Sequence, residues 1–95
     1  MSESSLQFVS VDVSDLAPPE PMKVIIEQLA KLTVHECLLV KHRRQPFPLY
    51  EKLQAAGFSY HTVVHAQDAI DLYIFHLSSQ HVFNELLKNN ALKKT

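Results

Sequence analysis

Cysteine, glycine and tryptophan are almost absent from this 95-residue chain, which contains one Cys, one Gly and no Trp. A single cysteine excludes an internal disulfide and a cysteine-rich zinc site. A single glycine excludes the loops that bind dinucleotides or nucleoside triphosphates, because those loops need several glycines. The composition therefore excludes several classes of enzyme and leaves one small domain of ordinary globular make-up.

An excess of charge of either sign is also missing. Nine Lys and Arg residues balance ten Asp and Glu residues, so the net charge at pH 7 is −1 with His neutral. This balance argues against strong electrostatic binding to nucleic acid or to an anionic membrane. No apolar run approaches the roughly 20 residues of a membrane span, and residues 1–5 lack the basic and apolar regions of a signal peptide. We therefore expect a cytoplasmic protein whose partners are neither nucleic acid nor membrane.

Hydrophobic periodicity predicts four strands and three helices. The predicted elements are, in chain order, a strand over 8–13, a helix over 20–32, a strand over 36–41, a helix over 48–56, strands over 58–66 and 70–77, and a helix over 78–92. Residues 1–7 are expected to form a disordered lead, and residues 8–77 one βαβαββ domain. The fold class is thus α/β (α+β), a two-layer α/β sandwich with a mixed four-stranded sheet and an extra C-terminal helix.

The last predicted strand has apolar side chains on both faces. The set expected to face the two central helices comprises Ile70, Leu72 and Ile74. The set expected on the opposite face comprises Tyr73, Phe75 and Leu77, together with Phe8, Leu38 and Val40 from other strands. An apolar face of this size needs cover. We expect the final helix to supply it, either within the chain or in a homodimer that uses residues 79–90.

Two proline-rich motifs precede the two central helices. The first contains Asp12, Leu16, Pro18, Pro19, Glu20 and Pro21, and the second runs Arg44-Gln45-Pro46-Phe47-Pro48-Leu49-Tyr50. The pair resembles the TusA/SirA-like sulfur carriers. It is more similar still to a TusA-related branch of unknown function that has Pro-Pro-Glu-Pro where the carriers have Cys-Pro-x-Pro. The resemblance implies a TusA-like fold over about residues 8–77 and a bacterial redox or respiratory setting.

Pro18 stands where the related carriers have their cysteine. A persulfide carrier needs a thiolate, which a helix N-terminus stabilises, and proline supplies none. We therefore expect a protein that is not an enzyme and has no cofactor, but is a binding or adaptor domain for another protein or for a small anionic ligand. The candidate ligand-binding residues are Asp12, Leu16, Pro18, Pro19, Glu20, Pro21, Arg43, Arg44, Pro46, Pro48 and Tyr50.

Two other functions stay open on the sequence. A sulfur-relay protein could use Cys37, although this residue alternates with Leu39 in a predicted strand. By that parity we expect an inert, buried Cys37 on the same face as Val9 and Val11. A nucleic-acid-associated regulator is the other alternative, which the charge balance disfavours.

Six histidines raise the question of a metal site. His61 and His65 belong to a predicted strand, where they would lie about 13 Å apart, too far for one ion. Only His76 and His81 could converge, across the turn into the last helix. We therefore expect no metal site.

Overall fold

The computed structural model describes residues 6–88. The elements are β1 (Gln7–Asp12), α1 (Glu20–Leu29), β2 (Glu36–His42), α2 (Phe47–Ala55), β3 (Phe58–Ala66), β4 (Ala69–His76), a 3-10 turn (Leu77–Ser79) and α3 (Gln80–Lys88). The predicted fold class and element order are confirmed. Most of the predicted lead (residues 1–5) and the end of the predicted last helix (residues 89–92) lie outside the described residues.

The strands form one mixed sheet in the order β1-β2-β4-β3. β1 and β2 are parallel, whereas β4 is antiparallel to both β2 and β3. A parallel pair needs a crossover connection, and α1 provides it. The carboxyl ends of β1 and β2 therefore meet at one edge of the sheet. The loops that lead into α1 and α2 both start from this edge.

Two hydrophobic clusters lie on opposite faces of the sheet. The cluster beneath α1 and α2 comprises Val13, Ile25, Leu29, Leu32, Leu38, Val40, Leu49, Leu53, Leu72 and Ile74. The cluster beneath α3 comprises Leu6, Cys37, Tyr73, Phe75 and Phe83. Successive residues of a strand point to opposite faces, so both faces of β2 and β4 are buried.

The predicted faces of β2 are wrong. Leu38 and Val40 belong to the cluster beneath α1 and α2, and Cys37 belongs to the cluster beneath α3. Val9 pairs with Leu38 and Val11 with Val40 across the parallel ladder. Because β2 is apolar on both faces, its sequence has no polar alternation that would set the phase.

Several predicted ends also differ from the structure. The predicted lead extends too far, because Leu6 is buried beneath α3 and Gln7 begins β1. α1 ends at Leu29, after which the Leu32 N–H donates to the Leu29 carbonyl at 3.1 Å in a tighter turn. Leu77 begins the 3-10 turn and is 59% exposed, so it does not belong to the apolar face beneath α3.

α3 packs on the second face of the sheet through its aromatic residue. Phe83 is 1% exposed, and its ring stacks on Phe75 with centroids 4.3 Å apart. The Ser59 hydroxyl donates a hydrogen bond to the Gln80 side chain, which ties the start of α3 to β3. Phe8 lies on the same face near the β1 edge, in edge contact with Tyr73, and remains exposed. α3 therefore covers part of this face.

Gly57, the only glycine, lies just after the C-terminus of α2 and has a φ of +87°. A Cβ at this position would meet nothing within 4 Å, so a substitution costs backbone strain alone. We expect Gly57→Ala to lower the free energy of unfolding by about 1 kcal/mol, and Gly57→Asn by less, because asparagine tolerates the left-handed region better. Urea denaturation measures both values. Equal losses for the two variants, or no loss, would contradict this explanation.

Candidate functional site

All five prolines and both arginines of the chain line one open groove. The groove, called here the proline groove, consists of two adjoining depressions of about 310 Å³ each. Its walls comprise Val13, Ser14, Leu16, Pro18, Pro19, Pro21, Met22, Ile25, His42, Arg43, Arg44, Gln45, Pro46 and Pro48. The two motifs meet there because the β1–α1 and β2–α2 loops leave the same edge of the sheet.

Prolines occupy both helix starts in the groove. α1 has Pro19 at its N-cap and Pro21 in its first turn, and α2 has Pro46 and Pro48 in the corresponding places. The peptide bond between Pro18 and Pro19 is cis. Proline has no N–H and a nearly fixed φ. The walls are therefore stiff and provide few backbone donors.

Some of the remaining N–H groups at these helix starts already have acceptors within the chain. The Glu20 N–H donates to the Ala17 carbonyl at 3.0 Å, and the Leu49 N–H donates to the Pro46 carbonyl at 2.8 Å. Helix N-termini bind anions through N–H groups that have no acceptor within the chain, and these two N–H groups are already used. Arginine side chains would consequently provide most of the favourable interactions with the negative charge of a ligand in the groove.

His42 fixes the loop that carries the two arginines. Its Nδ1 accepts hydrogen bonds from the backbone N–H groups of Arg43 and Arg44, at 2.9 and 3.2 Å. Both bonds require an unprotonated Nδ1. Burial of the ring, helped by the positive charge of Arg43, lowers the pKa of His42 below 6.5. The neutral ring thus holds the backbone of this loop in place.

Acidification should destabilise the protein through His42. The unfolded chain takes up this proton at a higher pH than the folded chain, so the contribution is complete above pH 6.5 and is lost as the pH falls below it. His42→Asn is the matched control, because its side-chain oxygen accepts the same hydrogen bonds but does not titrate. We expect the Tm of the wild type to fall by more than the Tm of His42→Asn when the pH is lowered from about 7.5 to about 5.5. The same loss in both proteins would exclude His42 as its source.

Neither arginine has an internal ion-pair partner among residues 6–88. Within this range no carboxylate lies within 4.0 Å of the Arg43 or Arg44 guanidinium. Both residues are exposed. The guanidinium groups are thus free to bind a carboxylate from outside these residues.

Two acidic members of the first motif lie outside the groove walls. The Asp12 carboxylate accepts hydrogen bonds from the Ser14 hydroxyl and N–H, at 2.6 and 2.9 Å. These bonds lower the pKa of Asp12. Glu20 lies exposed in the first turn of α1. Asp12 shapes the turn after β1, and Glu20 has a favourable position for the helix dipole.

Tyr50 supports the groove from behind. Its ring stacks on Tyr60 with centroids 4.3 Å apart, and its hydroxyl shares a hydrogen bond of 2.8 Å with the Thr62 hydroxyl. The Tyr50 hydroxyl also donates to the Gln45 side chain at 3.3 Å. Tyr50 therefore packs α2 against β3, does not line the groove itself, and holds the side chain of the groove residue Gln45.

A charged cluster on the α3 side of the sheet was missed by the sequence analysis. The carboxylate of Asp71, a residue only 9% exposed, lies 3.1 Å from Lys41 Nζ and 2.9 Å from His65 Nε2. Burial acts to raise the pKa of Asp71, but these two hydrogen-bonding partners outweigh it and lower the pKa. The signal for this cluster is the pairing of Lys41 with Asp71 across β2 and β4. Among residues 6–88, no group of three His, Cys, Asp or Glu residues could hold a metal ion.

Cys37 has the environment of an unreactive thiol. It is fully buried beneath α3 with Phe75 and Phe83. Burial raises the pKa of its thiol to about 12. Because the thiolate is the nucleophile, the folded protein presents very little of the reactive form.

The comparison with known families matches both loops of the groove. Residues 10–76 match a family described as an uncharacterized conserved protein (DUF2249). The chain belongs to the DUF2249 family. This confirms the prediction that the chain belongs to a family of unknown function, and α3 lies outside the matched residues. No curated protein and no solved structure matches the chain. Within residues 6–88, none of the helices has the length and apolar character needed to cross a membrane.

Proposed function

We propose that this DUF2249 protein is a non-catalytic binding or adaptor domain on a scaffold similar to that of the TusA/SirA-like sulfur carriers. The observation that carries the proposal is the proline groove, which contains Pro18 where those carriers have their cysteine. The same resemblance suggests a cytoplasmic, bacterial protein in a redox or respiratory setting.

The thiol chemistry supports binding rather than sulfur relay. Pro18 has no nucleophile, and Cys37 is buried on the other side of the sheet with its pKa raised to about 12. The charge balance argues equally against a nucleic-acid-associated regulator. Neither alternative gains support from a specific feature of the fold.

The groove has the properties of a preformed binding surface. Its prolines restrict the backbone at both helix starts, so a ligand loses little free energy in ordering these walls. Arginine is enriched among the residues that dominate binding energies at protein interfaces. α3 of the same chain lies on the apolar sheet face, which supports the groove rather than that face as the place where a partner binds.

Site-specific photo-cross-linking in the native host tests this proposal. A photoreactive phenylalanine analogue is placed at Leu16, which lines the groove and is 37% exposed. The matched control position is Leu77, an exposed leucine at the opposite edge of the sheet. We expect a discrete cross-linked product from Leu16 alone, and its disappearance when unlabelled wild-type protein competes. No product from Leu16, or the same product from Leu77, would refute the proposal.

A further inference from the structure

We infer that the proline groove binds an extended peptide segment of a partner protein in which pairs of apolar residues and pairs of acidic residues follow one another. The inference rests on the proposed function, because it names the chemistry of the partner that the groove would bind. Carboxylates of the segment bind Arg43 and Arg44, and its apolar side chains pack against the prolines.

The charge of the groove calls for an acidic partner. Both arginines of the chain line the groove, and among residues 6–88 no Asp or Glu does, although the whole chain has a net charge of −1. The described part of the chain supplies neither guanidinium with a carboxylate. A guanidinium binds a carboxylate through two parallel hydrogen bonds, which adds geometric specificity to the attraction. The partner is therefore expected to supply the carboxylates.

The remaining walls call for apolar side chains. Four of the five prolines and Met22 are exposed or half-buried, whereas Pro21 and Ile25 are buried in the floor of the groove. Contact with the accessible groups removes apolar surface of the partner from water. The proline-blocked helix starts give few N–H groups for main-chain pairing with a strand. Recognition consequently depends on the side chains of the segment.

The shape of the groove favours a peptide segment over a small molecule. A small-molecule pocket buries most of its ligand, whereas both depressions of this groove are partly open to solvent. Its two depressions share Pro18, Pro21, His42 and Arg44. Alternate side chains of an extended segment project in one direction about 6.6 Å apart. When apolar and acidic residues come in pairs, each face of the segment has apolar and acidic side chains in turn. The segment can then place one of each in the two depressions while the rest of the partner covers the exposed side.

Fluorescence polarisation with three labelled peptides tests this inference. The first repeats two leucines followed by aspartate and glutamate, so that each face of the extended peptide has both apolar and acidic side chains. The second has the corresponding amides, asparagine and glutamine, and the third has serine in place of leucine. We expect the first peptide to bind about tenfold more tightly than either counterpart, because each counterpart loses one of the two kinds of contact. Added salt should weaken the first and third peptides, which have the carboxylates, and leave the second nearly unchanged.

Matched variants locate the binding. Arg44→Gln and Arg43→Gln remove exposed charges in the groove, and Lys52→Gln removes an exposed charge in the last turn of α2. We expect each arginine variant to weaken the acidic peptide about tenfold and Lys52→Gln to leave its affinity unchanged. Unchanged urea denaturation curves would verify that all three variants remain folded.

Each of the following results would overturn the inference. Equal binding of the amide peptide removes the role of charge, and equal loss with Lys52→Gln removes the groove as its location. Tighter binding of octanoate or of a single-stranded oligonucleotide, used as competitors, would exclude a peptide as the preferred ligand. If cross-links form from Leu16 but the acidic peptide does not bind, this inference fails and the proposed function stands. If neither is observed, both fail.

Discussion

Replacing Phe83 by alanine is expected to lower the free energy of unfolding by about 3–5 kcal/mol. Phe83 is 1% exposed, stacks on Phe75 and lies against Tyr73 with ring centroids 5.6 Å apart. Its loss leaves a cavity between α3 and the sheet that nearby side chains fill only in part. Because small domains are stable by about 5–15 kcal/mol in total, this one change removes a large share of the stability.

Urea denaturation followed by circular dichroism measures the loss. Leu77→Ala is the matched control, because Leu77 is 59% exposed and precedes α3 in the chain. We expect the control to differ from the wild type by no more than about 0.5 kcal/mol. A loss below about 1 kcal/mol for Phe83→Ala would mean that α3 does not pack on this face in solution.

Cys37 is expected to react with iodoacetamide at least about a thousandfold more slowly in the folded protein than in the urea-unfolded chain. Its pKa rises from 9.0 to about 12 on burial, which lowers the thiolate fraction near neutral pH by about three powers of ten. Steric cover by α3 slows the reaction further. Mass spectrometry over a time course gives both rates.

The Phe83→Ala protein gives an internal comparison for this rate. Phe83 belongs to the same buried cluster as Cys37, so we expect the variant to react faster than the wild type. A polysulfide donor should likewise leave the mass of the native protein unchanged. Rapid alkylation or persulfide formation in the native protein would contradict the assignment of Cys37 as a structural residue. It would support the sulfur-relay alternative.

The sequence predicts the element order and the mixed sheet because most elements have a clear period. α1 alternates apolar and polar residues with helical spacing, and the proline motifs define where α1 and α2 begin. The predicted assignment of β2 side chains to the two faces was wrong because Cys37, Leu38 and Val40 are all buried. In such a strand only the pairing with β1 determines which side chain points to which helix layer.

The candidate site was predictable in its residues but less so in its arrangement. Pro18 and Arg44 lie in separate motifs, and only the parallel pairing of β1 with β2 brings them to one edge. The part of His42 as acceptor for two backbone N–H groups depends on the local loop conformation. The contact between Lys41 and Asp71 depends on the register of two strands distant in sequence. Long-range pairing of this kind leaves no local signal.

Backbone NMR of the ¹⁵N-labelled protein, titrated with the acidic and apolar peptide, tests the central claim most directly. The proline groove predicts chemical-shift changes concentrated in residues 13–22 and 42–49, around both arginines. Residues 77–88, which form the 3-10 turn and α3 on the other side of the sheet, should be unaffected. Shift changes confined to α3, or none at saturating peptide, would contradict the assignment of the groove as the binding site.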